Sequence, residues 1–249
     1  VLYFTFSQTV PITKRRSFNV IPESVVEWWN NSLAQRVIDD VHAQGGRFLP
    51  ERDPRARAVH RVMERLIPYS GMQEKKWETF VIQDDHTVNA FVVPGGKVFV
   101  HSGLLKACTS EDALATVLGH EIAHSTANHS GERMTQLGAL WLLAGSAFFL
   151  RGPFAGAAGV TFALAGAFST LTMLEIELPL TRKQEIEADY VGLMMMAEAC
   201  YDPRAAVGLW QRMEMLQSLQ GKAPPEFLST HPTNSHRIQN MQAWMTEAM

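Results

Sequence analysis

Two histidines and a glutamate stand inside an otherwise apolar run of the sequence, VLGHEIAH at residues 117–124. The run follows Thr109-Ser110-Glu111-Asp112, which is typical of the capped start of a helix, and Gly131 predicts the end of that helix. His120 and His124 are four positions apart, so on a helix both imidazoles lie on one face and point to one place. Polar groups on a buried helix need partners, so the rest of the chain has to fold around this pair.

The spacing H-E-x-x-H predicts a zinc site. Zinc accepts two neutral imidazoles and, in catalytic sites, keeps positions for a third ligand and a water. Glu121 is rotated one residue away from the histidine face, where it can take a proton from that water. The alternative, a helix with two solvated histidines, is disfavoured by the apolar neighbours. We therefore predict that His120 and His124 bind one Zn²⁺ per chain and that Glu121 is the catalytic base.

The third zinc ligand has to come from outside this motif. The extended pattern H-x-x-G-x-x-H is not met, because Ala127 and Ser130 stand at the corresponding positions. His129 lies five residues after His124, which on a continuous helix turns it away from the ligand face. We therefore expect His129 to be an exposed polar residue.

A later charged stretch, RKQEIEAD at residues 182–189, offers that third ligand. Glu185 and Asp189 are four apart and share a helix face, so Glu185 can bind zinc while Asp189 accepts the free N–H of a ligating imidazole. Glu187 points elsewhere and is expected to be solvated or paired. Alone, this stretch is typical of an ordinary charged helix face; beside H-E-x-x-H, the ligand interpretation is favoured.

Local patterns predict the surrounding elements. An amphipathic helix over residues 22–44 has its apolar stripe at Val26, Trp29, Leu33, Val37 and Val41. Capping residues, turn residues and β-branched runs predict further helices at 53–67, 182–199, 203–219 and 234–249, and strands at 77–82, 87–93 and 97–101.

H-E-x-x-H followed at a distance by E-x-x-x-D resembles the membrane-linked gluzincins, the family that includes the CAAX prenyl proteases and the HtpX heat-shock proteases. Four more stretches resemble segments of that family: Asn89-Ala90-Phe91, Pro94-Gly95-Gly96, Gly103-Leu104-Leu105, and Ser229-Thr230-His231-Pro232 followed by Arg237-Ile238. The resemblance runs from about Trp77 to Ile238. It implies an α+β fold: a mostly helical, zincin-like metalloprotease domain with a small β-sheet beside the active-site helix.

The resemblance also implies roles for residues outside the zinc motifs. His231 would lie over the zinc, either as a donor to the tetrahedral oxyanion or as an autoinhibitory fourth ligand. Arg237 would brace that loop or pair with a site carboxylate. An extended substrate would add as a further strand to an edge formed by Asn89, Ala90, Phe91 and Val92. The alternatives are a simple turn before a helix and a purely structural hairpin.

Residues 137–174 form a long apolar segment with a single charge, Arg151. A membrane span needs about 20 apolar residues, and both flanking helices must reach one zinc, which excludes a single clean crossing. We expect an apolar helical hairpin that lies in, or dips into, a membrane interface and contacts lipid. The alternative is a buried hairpin or a contact between copies in a homo-oligomer.

The N-terminal residues 1–21 combine the apolar start VLYFTF with Lys14-Arg15-Arg16 and resemble a segment that follows a membrane anchor. Residues 22–249 are then the zinc metallopeptidase domain that carries the insert. In these details the chain resembles the mitochondrial inner-membrane branch of the family, whose activity overlaps with that of the m-AAA protease. Bacterial periplasmic relatives share the zinc motifs.

Composition and motifs together favour a protease. The net charge is −3 and no basic stripe stands out, so nucleic acid is excluded as a partner. We predict zinc-dependent endoproteolysis of membrane-anchored or membrane-adjacent proteins in mitochondrial inner-membrane quality control and stress response, with the catalytic domain facing the intermembrane space. The alternatives are a bacterial periplasmic or membrane protease, and a stress-sensing, chaperone-like binding module stabilised by zinc, in which Glu121 would be unnecessary.

Overall fold

The computed structural model describes residues 6–93, 95–136, 138–139, 178–220, 227, 231 and 236–249. Apart from residues 138–139, the apolar segment 137–174 lies outside the described residues, and so does the start of the N-terminal segment. No helix among the described ranges is both long enough and apolar enough to span a bilayer.

Seven helices and five strands organise these residues into an α+β fold that is mostly helical, as predicted. The helices are α1 Glu23–Ala43, α2 Pro54–Leu66, α3 Ser102–Ala107, α4 Glu111–Thr126, α5 Leu178–Glu198, α6 Arg204–Gln220 and α7 Arg237–Ala248. The strands are β1 Ser7–Thr9, β2 Arg16–Phe18, β3 Glu78–Ile82, β4 Ala90–Val93 and β5 Lys97–His101. A further helical stretch at 129–136 follows α4 after a short turn.

The main sheet has the order β3-β5-β4, with β5 parallel to β3 and antiparallel to β4. Side chains of β5 alternate between two cores, as the pleat requires. Val98 and Val100 pack with α2 and α4 in the larger core, whereas Phe99 packs beneath α1 between Phe80 and Phe91. The sheet therefore separates α1 from the helices that carry the predicted site, and β4 is one of its two edge strands.

Helix α1 faces the sheet along a slightly different stripe from the predicted one. Val26 is buried and Val37 and Val41 pack on the sheet side. The prediction for Leu33 was wrong, because its side chain is exposed and the neighbouring Ala34 is buried instead. A one-residue step rotates the inward face by about 100°, so a small side chain lies where α1 approaches the sheet.

Helix α4 begins as predicted but ends earlier. The Ser110 hydroxyl accepts a hydrogen bond from the backbone N–H of Ala113 at 3.1 Å, which caps the first turn. The predicted end at Gly131 was wrong: the helix stops at Thr126, and Asn128 takes a left-handed φ of 52°. The Asn128 side chain then accepts from the Gly131 N–H at 3.2 Å and starts the next helical stretch.

Helices α4 and α5 cross in close contact at two glycines. A Cβ on Gly192 would lie 2.7 Å from the backbone nitrogen of His120, and a Cβ on Gly119 would lie 3.0 Å from the carbonyl oxygen of Gly192. Only residues without a side chain allow this approach. It brings the acidic residues of α5 to the histidines of α4 and therefore builds the site.

Candidate metal centre

Four side chains converge at the crossing of α4 and α5. His120 and His124 come from α4 and Glu185 comes from α5, and His231 approaches from the C-terminal part of the chain. Their ligand atoms all lie within 4.8 Å of one another. His120 and Glu185 are buried, while His124 and His231 are partly exposed. The structure thus brings together the three predicted zinc ligands and His231, which the resemblance implied to be either a fourth ligand or an oxyanion donor.

The separations within this cluster match those of a small tetrahedral cation site. His120 Nε2 lies 3.1 Å from His124 Nε2, 3.2 Å from His231 Nδ1 and 3.3 Å from Glu185 Oε2. Glu185 also lies 3.4 Å from His124 Nε2 and 3.2 Å from His231 Nδ1. Four tetrahedral ligands at zinc's usual bond lengths of 2.0–2.2 Å are separated by about 3.3–3.6 Å, so the donor set and its spacing fit zinc.

Asp189 and Arg237 orient the ring of His120 at its Nδ1 atom. Asp189 Oδ1 lies 2.9 Å from His120 Nδ1 and accepts a hydrogen bond from Arg237 at 2.6 Å. The Arg237 guanidinium lies 3.5 Å from the centroid of the Trp210 ring and is 3.6 Å from Glu185 Oε2. An Nδ1–H that donates to Asp189 leaves the Nε2 lone pair of His120 facing the cluster, as a metal ligand requires.

The electrostatics of the cluster favour a cation. Burial lowers the pKa of His120, but hydrogen bonds to Asp189 and Glu185 outweigh burial and raise that pKa to about 9. Burial raises the pKa of Glu185, but hydrogen bonds to His120 and His231 bring it well below its usual range. Burial holds the pKa of His124 well below its ordinary value, so this ring is neutral. The carboxylates that hold a proton on His120 also favour a metal ion there, which would displace that proton.

Glu121 lies next to the cluster without being part of it. Its side chain is buried, and Oε1 lies 3.3 Å from His231 Nε2. Burial raises the pKa of Glu121, while the neighbouring His231 and His120 and the backbone N–H of Val92 oppose that rise. A carboxylate with a raised pKa, beside the metal ligands and next to β4, suits a group that accepts and returns a proton.

His129 is the residue that the sequence prediction placed wrongly. It is buried, and its Nδ1 lies 2.9 Å from His124 Nδ1 while its Nε2 lies 3.0 Å from Glu187 Oε2. The interruption of the helix at Asn128 turns His129 back towards α4, whereas a continuous helix would have turned it away. Asn128 in a left-handed turn was the local signal that could have indicated this.

Glu187 is paired rather than solvated. Its carboxylate accepts hydrogen bonds from Thr13 Oγ1 at 2.6 Å and from Arg15 Nε at 2.7 Å, in addition to the contact with His129. Burial raises the pKa of Glu187, but these partners lower it below its ordinary value overall. The sequence allowed for a paired Glu187 but gave no partner, because Arg15 lies 172 positions earlier in the chain.

The predicted substrate strand also borders the cluster. Ala90, Phe91 and Val92 lie in β4, and Asn89 directly precedes it. The Asn89 carbonyl accepts from the His101 N–H at 2.9 Å, on the side of β4 that faces β5. On the outer side, the Val88 carbonyl accepts from the Phe227 N–H at 3.0 Å, and the Phe227 carbonyl accepts from the His231 N–H at 2.9 Å.

The chain is similar to known peptidases. The model of peptidase family M48 matches residues 53–245. The mitochondrial metalloendopeptidase OMA1 of Schizosaccharomyces pombe is 42% identical over the whole of this chain and 69% of its own length. The human mitochondrial metalloendopeptidase OMA1 is 33% identical over the whole chain and 48% of its length. The β-barrel assembly-enhancing protease of Escherichia coli is 31% identical over 70% of the chain and 35% of its length.

Proposed function

Because the chain belongs to peptidase family M48 and is a metalloendopeptidase, we propose that it is a zinc enzyme of the mitochondrial inner membrane that cleaves membrane-anchored or membrane-adjacent proteins in quality control and stress response. Relatives named as mitochondrial match 81–100% of the chain, whereas those named as β-barrel assembly-enhancing proteases match 70–72% of it. This difference favours the mitochondrial assignment over a bacterial periplasmic one. The catalytic domain would face the intermembrane space.

The spacing of the ligand atoms carries this proposal. His120, His124 and Glu185 would hold Zn²⁺, and their mutual separations of 3.1–3.4 Å support that assignment. Bound zinc would supply Lewis-acid polarisation of the scissile carbonyl. Asp189 and Arg237 would keep His120 in the tautomer whose Nε2 carries a lone pair.

Glu121 would be the general base. Its carboxylate would take a proton from the attacking water and return that proton to the leaving amine. Burial favours this exchange, because it raises the pKa of Glu121 towards the pH at which the enzyme works. A purely structural zinc site would need no group that exchanges a proton with water.

The position of His231 favours a resting, closed arrangement. Its Nδ1 faces the same cluster as the three ligands, and its Nε2 lies 3.3 Å from Glu121 Oε1. In this arrangement His231 would act as an autoinhibitory fourth ligand and also engage the base. The alternative role, donation to the tetrahedral oxyanion, requires His231 to leave this position.

Phe227 would cover the start of the substrate strand. An extended substrate would pair with the outer edge of β4, formed by Asn89, Ala90, Phe91 and Val92. The hydrogen bond from the Phe227 N–H to the Val88 carbonyl lies at the entrance to that edge. Displacement of Phe227 and His231 would therefore free the metal position, the base and the edge together. Lipid contact through residues 137–174 and homo-oligomer formation complete the proposal.

The base can be tested apart from the metal. We expect Glu121→Gln to keep about one zinc per chain and to lose cleavage of a protein substrate assayed in membranes. A Glu121→Gln variant that cleaves at the wild-type rate would contradict the protease assignment. It would instead favour the stress-sensing, chaperone-like binding module, whose activity needs the fold and the metal but no base.

A further inference from the structure

His129 connects a proposed metal ligand to a buried carboxylate. Its two ring nitrogens lie 2.9 Å from His124 Nδ1 and 3.0 Å from Glu187 Oε2, and its side chain is 1% exposed. We infer that His129 and Glu187 are positioning residues that fix the ring of His124 for metal binding. The inference rests on the proposed function only in that His124 is taken to be a ligand.

When the rings of His124 and His129 are both neutral, the donors and acceptors around them allow only one placement of the ring hydrogens. Glu187 is a carboxylate that already accepts from Thr13 and Arg15, so His129 Nε2 must carry a hydrogen and donate it. A neutral His129 then has a lone pair on Nδ1, which can only accept. His124 Nδ1 must therefore donate, which leaves the lone pair of His124 on Nε2, the atom that faces Glu185 and His120.

His124 is thus oriented as Asp189 orients His120, except that the ring of His129 lies between the ligand His124 and the carboxylate of Glu187. Metal-binding histidines usually donate their second N–H to a carboxylate, a carbonyl or a water. His124 has no carboxylate within reach of Nδ1 among the contacts of the described chain; a second histidine extends the reach to Glu187. The short turn at Asn128 makes this possible, because it returns His129 to the ring of His124.

Glu187 is fixed in turn by the N-terminal hairpin, in which β1 and β2 pair as antiparallel strands. Arg15 lies between β1 and β2 and donates through Nε to Glu187 and through Nη1 to Glu132 at 2.8 Å. The hairpin turn is closed by a hydrogen bond from the Val10 N–H to the Arg15 carbonyl at 2.9 Å. Through Arg15 and Thr13, the N-terminal segment therefore supports the ring of His124.

Zinc affinity of the folded chain tests this inference. We expect Glu187→Ala and His129→Leu to weaken zinc binding by about 10–100-fold, measured by competition with a chromogenic zinc chelator on the full 249-residue chain. Circular dichroism of the metal-free variants verifies folding. Glu187→Gln should stay within about threefold of wild type, because its amide oxygen can still accept from His129 while its NH₂ donates to Thr13.

Glu132→Ala is the matched control. Glu132 binds Arg15 with its carboxylate, as Glu187 does, but the described contacts of that carboxylate do not include the His129 ring. We expect zinc affinity in Glu132→Ala to stay within about threefold of wild type, although its thermal stability falls. An equal loss of affinity in Glu132→Ala and Glu187→Ala would overturn the inference, since it would reduce Glu187 to a general structural role.

Ring tautomers provide a readout that activity does not. Long-range ¹H–¹⁵N spectra of the metal-free chain should show His124 with its hydrogen on Nδ1 and His129 with its hydrogen on Nε2, and Glu187→Ala should lose this fixed pattern. The opposite tautomers, or unchanged zinc affinity in Glu187→Ala and His129→Leu, would refute the inference while zinc still binds. Wild-type protein that binds no zinc at this cluster would refute the proposed function itself.

Discussion

Replacement of Gly192 by alanine should damage the metal centre without changing any ligand. A Cβ at this position would lie 2.7 Å from the backbone nitrogen of His120 and 2.9 Å from the carbonyl carbon of Gly119. Carbon atoms pack at about 3.5–4.0 Å, so the contact with the Gly119 carbonyl carbon requires α5 to move away from α4 by about 0.6 Å or more. Both neighbours are helix backbone, so no side-chain rotation can absorb the clash.

That shift is large enough to break hydrogen bonds between the two helices. The bond from His120 Nδ1 to Asp189 Oδ1 is 2.9 Å long, and an equal displacement brings it to about 3.5 Å or beyond, where a hydrogen bond is lost. Overpacking of this kind costs about 1–3 kcal/mol. For a chain of this length it lowers the melting temperature by roughly 2–4 °C per kcal/mol. We also expect a loss of zinc affinity of about 10–100-fold, because Asp189 no longer orients His120.

Two assays and one control variant decide this prediction. Melting of the metal-free chain by circular dichroism gives the stability change, and chelator competition gives the zinc affinity. Gly208→Ala in α6 is the control, because its Cβ meets nothing closer than Arg212 Nη1 at 3.5 Å and alanine favours a helix by about 1 kcal/mol over glycine. If Gly192→Ala melts and binds zinc like Gly208→Ala, then the close helix crossing does not build the site.

Two further predictions concern the role of His231 and the pH dependence of stability and zinc affinity. His231→Ala should raise basal cleavage of a protein substrate, because it frees the fourth position and releases Glu121; a fall of about 100-fold would instead assign His231 to oxyanion stabilisation. The pKa of His120 is raised to about 9 from 6.5, so its protonation stabilises the metal-free chain below pH 6.5, and this contribution is lost as the pH rises through about 9. Zinc displaces the same proton, so its affinity should increase by up to about tenfold per pH unit over that window; chelator competition that shows a flat or falling affinity would contradict this.

Each half of the site was predictable because it depends on helix periodicity alone. His120 with His124, and Glu185 with Asp189, are pairs four apart, and such pairs face one way on any helix. The glycines that let α4 and α5 approach were in the sequence, but nothing in a local pattern tells which glycines meet. The crossing is a tertiary property, and only the shared metal chemistry joined the two pairs beforehand.

His129 shows where sequence reasoning failed. The prediction treated α4 as continuous to Gly131, and on that geometry His129 points to solvent. A single left-handed residue, Asn128, changes the direction of the chain and buries the ring. The partners of Glu187 were equally hidden, since Thr13 and Arg15 reach it from the N-terminal hairpin. Interactions between distant segments leave no periodic trace in either segment.

Zinc-edge anomalous diffraction from crystals of the full chain tests the central claim most directly. The account predicts one peak per chain, within about 2.0–2.2 Å of His120 Nε2, His124 Nε2 and a carboxylate oxygen of Glu185. In the resting arrangement, His231 Nδ1 would be the fourth neighbour of that peak. Zinc-loaded crystals without a peak at this cluster, or with their peak elsewhere in the chain, would contradict the account.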